Sequence, residues 1–264
     1  MTKQLLLIDG NSIVFRAFFA MHNQMDKFTN KDGLHTAAIY GFKLMLDHVL
    51  QNFKPDTALV AFDAGKVTFR TKMYDDYKGG RNKTPNELTE QIPYVRELIK
   101  DSGLHSYELA NYEADDIIGT LAKQADDAGY KTLIVTGDRD LTQLASENTT
   151  VAVTHKGVTD TEHYTPAHVE EKLGITPRQI IDMKALMGDS SDNYPGVTKI
   201  GEKTAIKLVK QFGSVEELYD HIDDLKKSKM KEHLIEDEEI ARQCKTLATI
   251  LRDAPIKIGL DDLQ

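Results

Sequence analysis

Nine carboxylates stand where the sequence pattern could gather them for joint work. Three follow short apolar runs: Asp9 after Leu5-Leu6-Leu7-Ile8, Asp63 after Ala58-Leu59-Val60-Ala61-Phe62, and Asp138 after Leu133-Ile134-Val135-Thr136-Gly137. Glu113, Asp115 and Asp116 open a helical pattern. Asp140 follows Asp138 by two, and Asp189 and Asp192 lie three apart ahead of a glycine-bounded turn. Hydrolysis of a phosphodiester needs an activated water and charge stabilisation on the leaving oxygen, and two hard cations about 4 Å apart supply both. Magnesium takes oxygen ligands and keeps several waters, so its sites recruit carboxylates directly and through water. Taken singly, each acid has an ordinary structural use. An acid after a strand caps a helix or turn, acids in a first helical turn complement the macrodipole, and Asp189 and Asp192 suit Asx turns. It is the conjunction that favours a shared site.

The charge balance agrees. The chain carries 33 Lys and Arg against 42 Asp and Glu, a net charge of −9. Setting the nine acids aside leaves 33 of each sign, so the whole excess is of a size that one metal site could hold. Such a cluster is unstable without cations, because like charges repel and some carboxyls keep their protons.

The elements that would position these acids alternate. The apolar runs ahead of Asp9, Asp63 and Asp138 read as strands buried on both faces, with a further strand over 149–154. Ile39, Phe42, Leu46, Val49 and Phe53 form a helical stripe ended by Pro55, and Ile117, Ile118, Leu121 and Ala125 form another ended near Gly129. Strand–helix alternation predicts an α/β fold with a mostly parallel sheet flanked by helices. Ligands of such sheets lie beyond the carboxyl ends of the strands. Asp138 and Asp140, read as extended chain, would share one face.

Two segments depart from the alternation. Residues 66–95 are basic, with Lys66, Arg70, Lys72, Lys78, Arg81 and Lys83 around Gly79-Gly80 and Pro85. From about Thr176 the chain becomes helical, Thr176-Pro177 reading as N-cap and N1. The turn Gly196-Val197-Thr198-Lys199-Ile200-Gly201 then leads into a helix bearing Lys203, Lys207 and Lys210. The predicted organisation is an α/β core over 1–172, including a basic excursion at about 66–95, and a helical lobe over 173–264.

Bulk properties set the outer bounds. With 40% hydrophobic and 28% charged residues, the chain is typical of a folded domain rather than a disordered one. Its single cysteine, Cys244, excludes an internal disulfide and suits a reducing compartment. The N-terminal apolar run is too short for a signal peptide and no stretch approaches a membrane span, so the expectation is cytoplasmic.

The motifs together resemble the 5′-3′ exonuclease and flap endonuclease family, whose members include the nuclease part of bacterial DNA polymerases. They are Asp9-Gly10-Asn11, Phe62-Asp63, Phe69-Arg70, Tyr77-Lys78-Gly79-Gly80-Arg81, Glu113-Ala114-Asp115-Asp116, Thr136-Gly137-Asp138-Arg139-Asp140, Gly188-Asp189-Ser190-Ser191-Asp192-Asn193 and the turn from Gly196 to Ala205. The resemblance implies a PIN-like nuclease core, a basic helical arch and a helix–hairpin–helix lobe. It implies a catalytic metal group of Asp9, Asp63, Glu113, Asp115 and Asp116 and a second group of Asp138, Asp140, Asp189 and Asp192. The metal would be Mg2+, two or more ions with Mn2+ able to substitute, and a potassium ion would sit at the hairpin turn. Lys78 and Arg81 would act on the scissile phosphate, with Asp63 and Asp115 central to the metal. Arg70 would assist, Tyr77 would stack on an unpaired base, and Gly196, Lys199, Gly201 and Lys203 would grip duplex backbone. The implied substrate is DNA with 5′ ends, flaps or branches, cut by a monomer that stands alone or is joined to a polymerase. Two other readings fit parts of the pattern: a non-catalytic junction-binding module, and a PIN-type ribonuclease.

Overall fold

The computed structural model describes residues 2–21, 27–157 and 159–263. In chain order its elements are β1 (Gln4–Asp9), α1 (Gly10–Met21), α2 (Ala37–Phe53), β2 (Thr57–Thr68), α3 (Phe69–Met73), α4 (Asn86–Thr89), α5 (Ile92–Asp101), β3 (His105–Asn111) and α6 (Ala114–Asp127). These are followed by β4 (Lys131–Thr136), β5 (Thr149–Lys156), β6 (Asp160–Tyr164), α7 (Pro166–Leu173), α8 (Gln179–Met187), α9 (Glu202–Phe212), α10 (Val215–Asp220), α11 (Lys229–Glu236) and α12 (Glu238–Ala248). The chain divides into two compact units. One comprises Met1–Lys66, Lys83–Thr165 and Leu251–Gln264; the other comprises Val67–Asn82 and Pro166–Ile250.

The first unit is built on a six-stranded sheet in the order β3-β2-β1-β4-β5-β6. β1 pairs parallel with both β2 and β4, and β4 pairs parallel with β5. β6 returns antiparallel to β5. The apolar runs are strands because every residue of Leu5 to Ile8 is completely buried, as a central strand covered on both faces requires. On one face Leu6, Ile8, Val60, Phe62, Leu133 and Val135 pack with α1, with Phe42, Met45, Leu46 and Val49 of α2, and with Val95 and Ile99 of α5. α2 stops at Phe53, and Lys54 caps it in the left-handed region at φ 51°, immediately before the proline that marked its end. The edge strands β3 and β6 carry no continuous apolar run, and no pattern in the sequence announced them.

The second unit is helical. α8 packs against both α9 and α12. Ile181, Cys244, Leu247 and Ala248 form a small core with Tyr77 and Tyr194. Lys245 joins α12 to its neighbours by donating to Asp182 Oδ1 at 2.7 Å and Glu216 Oε2 at 2.5 Å, while Asp182 Oδ1 also accepts the Val215 amide. α8 begins at Gln179, later than Thr176-Pro177 predicted. There Gln179 Oε1 accepts the Thr176 amide at 2.9 Å, so the side chain of the incoming helix holds the turn that precedes it. The basic stretch 66–95 is divided: Lys66 and Lys83 onward belong to the sheet unit, whereas 67–82, including α3, pack with the helices of the second unit. Among the described residues no helix is long and apolar enough to cross a membrane.

Candidate active site

The sheet gathers three of the predicted acids. β1 lies between β2 and β4, with Asp9 in register with Ala61 and Ile8 with Val135, so Asp63 and Asp138 come to either side of Asp9. Asp9 is 4% exposed. Its Oδ1 accepts the Ser12 amide at 3.0 Å and its Oδ2 accepts the Thr136 hydroxyl at 2.8 Å. Burial is the main influence on this carboxyl, the two hydrogen bonds oppose it, and the charges of Asp63 and Asp138 reinforce it. The net result is a pKa pushed up to about 7.

Each flanking acid is held by its own local device. Asp63 Oδ2 accepts Asn11 Nδ2 at 3.0 Å, and its Oδ1 accepts the Ala114 amide at 2.8 Å, which ties the end of the buried part of β2 to the start of α6. Glu113 is the N-cap of α6 and Asp115 lies half-buried in its first turn. Asp116 is completely buried: Oδ2 accepts the Glu113 amide at 3.1 Å, closing a capping box, and Oδ1 accepts the Leu251 amide at 3.0 Å. Those two bonds give Asp116 a structural task in place of the open carboxylate that a first-turn position suggests. Asp138 has an extended backbone, but Asp140 does not. Asp138 caps a short 3-10 helix, Arg139–Leu144, and its Oδ1 accepts the Asp140 amide at 2.8 Å, so the expected shared strand face does not exist.

Whether these groups suit a divalent cation can be judged from their chemistry. A buried carboxylate repelled by two acidic neighbours is relieved by a cation, and oxygen donors are what magnesium takes. Among the described residues, however, no three His, Cys, Asp or Glu side chains stand as a ready coordination cage. The acids converge electrostatically before they converge as ligands.

Asp189 and Asp192 belong to the helical unit and are satisfied there. Asp189 Oδ1 accepts the Ser191 amide and hydroxyl at 2.7 and 2.6 Å, and Oδ2 pairs with the Lys184 ammonium. Burial alone would push this carboxyl up, but the Lys184 and Ser191 contacts outweigh it and hold the carboxyl below the usual carboxylate range. Asp192 Oδ1 accepts from Arg81 Nη2 at 2.6 Å and Oδ2 from the Tyr77 hydroxyl at 3.0 Å.

The residues predicted to touch DNA fare unequally. Arg70 is 2% exposed, with Nε donating to Leu247 O at 3.0 Å and Nη2 to Thr249 O at 2.6 Å, so it fastens α3 to the end of α12 rather than facing a ligand. Tyr77 is likewise buried, stacked on Tyr194 at 6.5 Å between centroids, and offers no open face to a base. Lys78, at φ 57°, donates its amide to Asp192 O and sets its ammonium 5.1 Å from the Tyr77 ring centroid. Arg81 is exposed at the rim of this cluster. In the glycine turn, Lys199 and Lys203 are exposed, as is Gly201, which caps the N-terminus of α9. Gly196 is buried against the backbone of 186–188, so it serves close chain packing and not phosphate approach. Asn11 and Thr136 entered the sequence reading only as members of motifs and Ser12 not at all, so their part in holding the strand-end acids was not foreseen. Their signal was present, since each lies two or three residues from an acid at a strand end.

A mostly parallel sheet with acids at its strand ends, joined to a helical unit, defines a nuclease of the PIN-like, resolvase-like class. The chain belongs to the 5′-3′ exonuclease family: residues 4–174 match its N-terminal resolvase-like domain and residues 175–264 its C-terminal SAM fold. It is 60% identical over 261 residues to DNA polymerase I of Streptococcus pneumoniae strain R6, covering 99% of this chain and 30% of that protein. It is 56% identical to DNA polymerase I of Bacillus subtilis, covering 99% and 29%. The chain therefore spans about 30% of the length of these curated relatives. Among solved structures it shares its fold with a zinc-bound phage T5 5′-exonuclease, at TM-score 0.78 and 23% identity over 99% of this chain and 96% of that one. A T5 flap endonuclease complex with DNA and metal ions gives 0.76 and 24% over 93% and 89%.

Proposed function

We propose that this chain is a divalent-metal-dependent 5′-nuclease that hydrolyses DNA phosphodiesters at 5′ ends and flaps. The observation that carries the reading is the buried Asp9, set between Asp63 and Asp138 and pushed up to about 7. Asp9, Asp63 and Asp138 are the residues that would hold the cations, with Glu113, Asp115 and Asp140 next to them in sequence or at the start of α6. Bound there, divalent cations supply charge neutralisation and water activation. The protein's own part is positional. Thr136 and Ser12 fix the two oxygens of Asp9, Asn11 and Ala114 fix those of Asp63, and the cap of the 3-10 helix fixes Asp138. Exposed Lys199 and Lys203 at the start of α9 suit contact with duplex backbone without reading bases.

The reading takes magnesium as the working cation, manganese as a substitute, and potassium at the 196–201 turn. It also places the protein among enzymes of primer removal and repair in the cytoplasm, acting alone or joined to a polymerase. Support comes from the family assignment and from the metal and DNA named for the T5 enzymes that share the fold. One assay tests it: incubation with a 5′-flap DNA and a matched RNA hairpin, with and without magnesium, alongside Asp63→Ala. Magnesium-dependent cutting of the flap, lost in the variant, is expected. Binding without cutting, or preferential cutting of the RNA, overturns the reading.

A further inference from the structure

Beside the acids, at the carboxyl ends of β4 and β5, lies a polar recess of about 270 Å3 lined by Arg16, Gly137, Arg139, Thr154, His155 and Glu162. Its chemistry is opposite to that of the acidic centre. Thr154 is 2% exposed, and its hydroxyl is buried without a hydrogen-bond partner among the described residues. An orphaned buried hydroxyl costs free energy unless something meets it. Arg16 is anchored by Nη2 donating to Thr154 O at 3.0 Å and Nη1 to His155 O at 3.3 Å, and Nε is among the donors that these two bonds leave over. Ser12 Oγ accepts the Gly137 amide at 2.8 Å and so keeps its own proton to give.

These three donors converge. A side chain at Gly137 would begin 2.6 Å from Ser12 Oγ, 3.3 Å from Thr154 Oγ1 and 3.6 Å from Arg16 Nε, so the glycine keeps open the space all three face. Arg139 adds a guanidinium that makes no ion pair among the described residues. The one lining carboxylate, Glu162, already accepts the Tyr164 hydroxyl at 2.9 Å. His155 turns Nδ1 toward Asp160 at 3.7 Å. Donors thus outnumber acceptors, and the volume exceeds the roughly 30 Å3 share of one water several times over.

We propose that this recess binds a tetrahedral oxyanion of the phosphate class, one oxygen received by Ser12, Thr154 and Arg16 and another facing Arg139. Charge-assisted bonds from guanidinium and hydroxyl donors are the strong form of such contacts. Resting on the nuclease reading, the recess holds a backbone phosphate of the bound strand close to the acids, and so sets which phosphodiester is presented to them.

The test uses metal-free binding, so that it does not depend on cleavage. A 5′-flap duplex carrying a single neutral methylphosphonate is scanned position by position by fluorescence anisotropy, against the intact chain and against Thr154→Val and Arg139→Ala. Both variants are first checked for an unchanged thermal midpoint. In parallel, inorganic phosphate is titrated at constant ionic strength while the amides of Gly137, Arg139, Thr154 and His155 are followed by NMR. Expected is one position whose neutralisation weakens the intact protein about tenfold and the variants no further than they are already weakened. Phosphate-induced shifts at those amides without a coupled backbone position uphold the oxyanion site, with free phosphate as its occupant. Neither coupling nor shifts overturns the proposal. A chain that shows coupling yet cuts nothing with magnesium leaves the recess standing and removes the nuclease reading.

Discussion

The hydroxyl of Thr136 donates to Asp9 Oδ2 at 2.8 Å, and Thr136 Oγ1 in turn accepts the Asp138 amide at 2.9 Å. One completely buried side chain therefore links the acid that ends β1 to the acid that follows β4. Thr136→Val keeps the shape and removes both bonds. It leaves a part-buried amide and a buried carboxyl each short of a partner, a loss of about 1–3 kcal/mol. The shift in the urea midpoint at unchanged slope measures it. Because this hydrogen bond lowers the Asp9 pKa, its removal raises that pKa further. Unchanged stability together with an unchanged Asp9 titration by NMR would count against the arrangement.

Asp9 also makes the metal-free protein sensitive to pH in a definite direction. Its folded pKa of about 7 lies above the ordinary value of 3.8. Between those limits the folded state binds more protons than the unfolded one, so this group favours folding at low pH and its contribution is lost as pH rises toward 7. In EDTA, Asp9→Asn is expected to flatten the fall in stability between about pH 4 and pH 7. At pH 7.5 it should melt higher than the parent, by about 2–4 °C for each kcal/mol recovered. In magnesium the order reverses, since the parent gains binding energy that the variant cannot. Calorimetry of both proteins across this range, with and without magnesium, checks the sign. A parent that is steepest above pH 8 would contradict it.

Arg70 provides a contrast between charge and burial. Its guanidinium satisfies Leu247 O and Thr249 O at the end of α12. Arg70→Met should cost about 2–4 kcal/mol through unsatisfied carbonyls and lost packing, seen as a lower urea midpoint. A surface DNA contact behaves otherwise, with affinity and its salt dependence falling while stability stays put. The two measurements on one variant separate the roles.

The sequence-legible parts of the molecule are those in which one physical rule dominates. Leu5 to Ile8 and Leu133 to Val135 read as buried strands because both faces of a parallel sheet exclude water, and with them came the places of Asp9 and Asp138. β3 and β6 were invisible because an edge strand can be polar. The fate of single residues was least legible. A basic residue looks alike whether it faces DNA, as an exposed Lys199 can, or is buried like Arg70. An acid in a first helical turn looks alike whether it stays open or, like Asp116, is spent on backbone amides from Glu113 and the distant Leu251. Spacing carries information about local geometry, and the Leu251 contact spans 135 positions.

The two glycines that bound the 196–201 turn should respond to substitution very differently. Gly196 has φ +65°, and a Cβ there would meet Gly188 N at 2.2 Å and Met187 C at 2.5 Å, both backbone atoms that cannot yield alone. Gly196→Ala therefore meets left-handed strain and a collision together, an expected loss of more than about 3 kcal/mol. Gly201 has nothing within 4 Å of its Cβ position and caps α9 from extended backbone, so Gly201→Ala should cost roughly 1 kcal/mol or less from the weaker cap. The backbone amides at the α9 N-terminus are unaltered in the second variant, so its affinity for duplex DNA should stay within about twofold of the parent while its salt slope is kept. Thermal melts and anisotropy on both proteins decide the matter. A stable Gly196→Ala would mean that the turn does not press on 186–188 as described, and a Gly201→Ala that folds normally but binds poorly would mean that the cap position itself touches the phosphate.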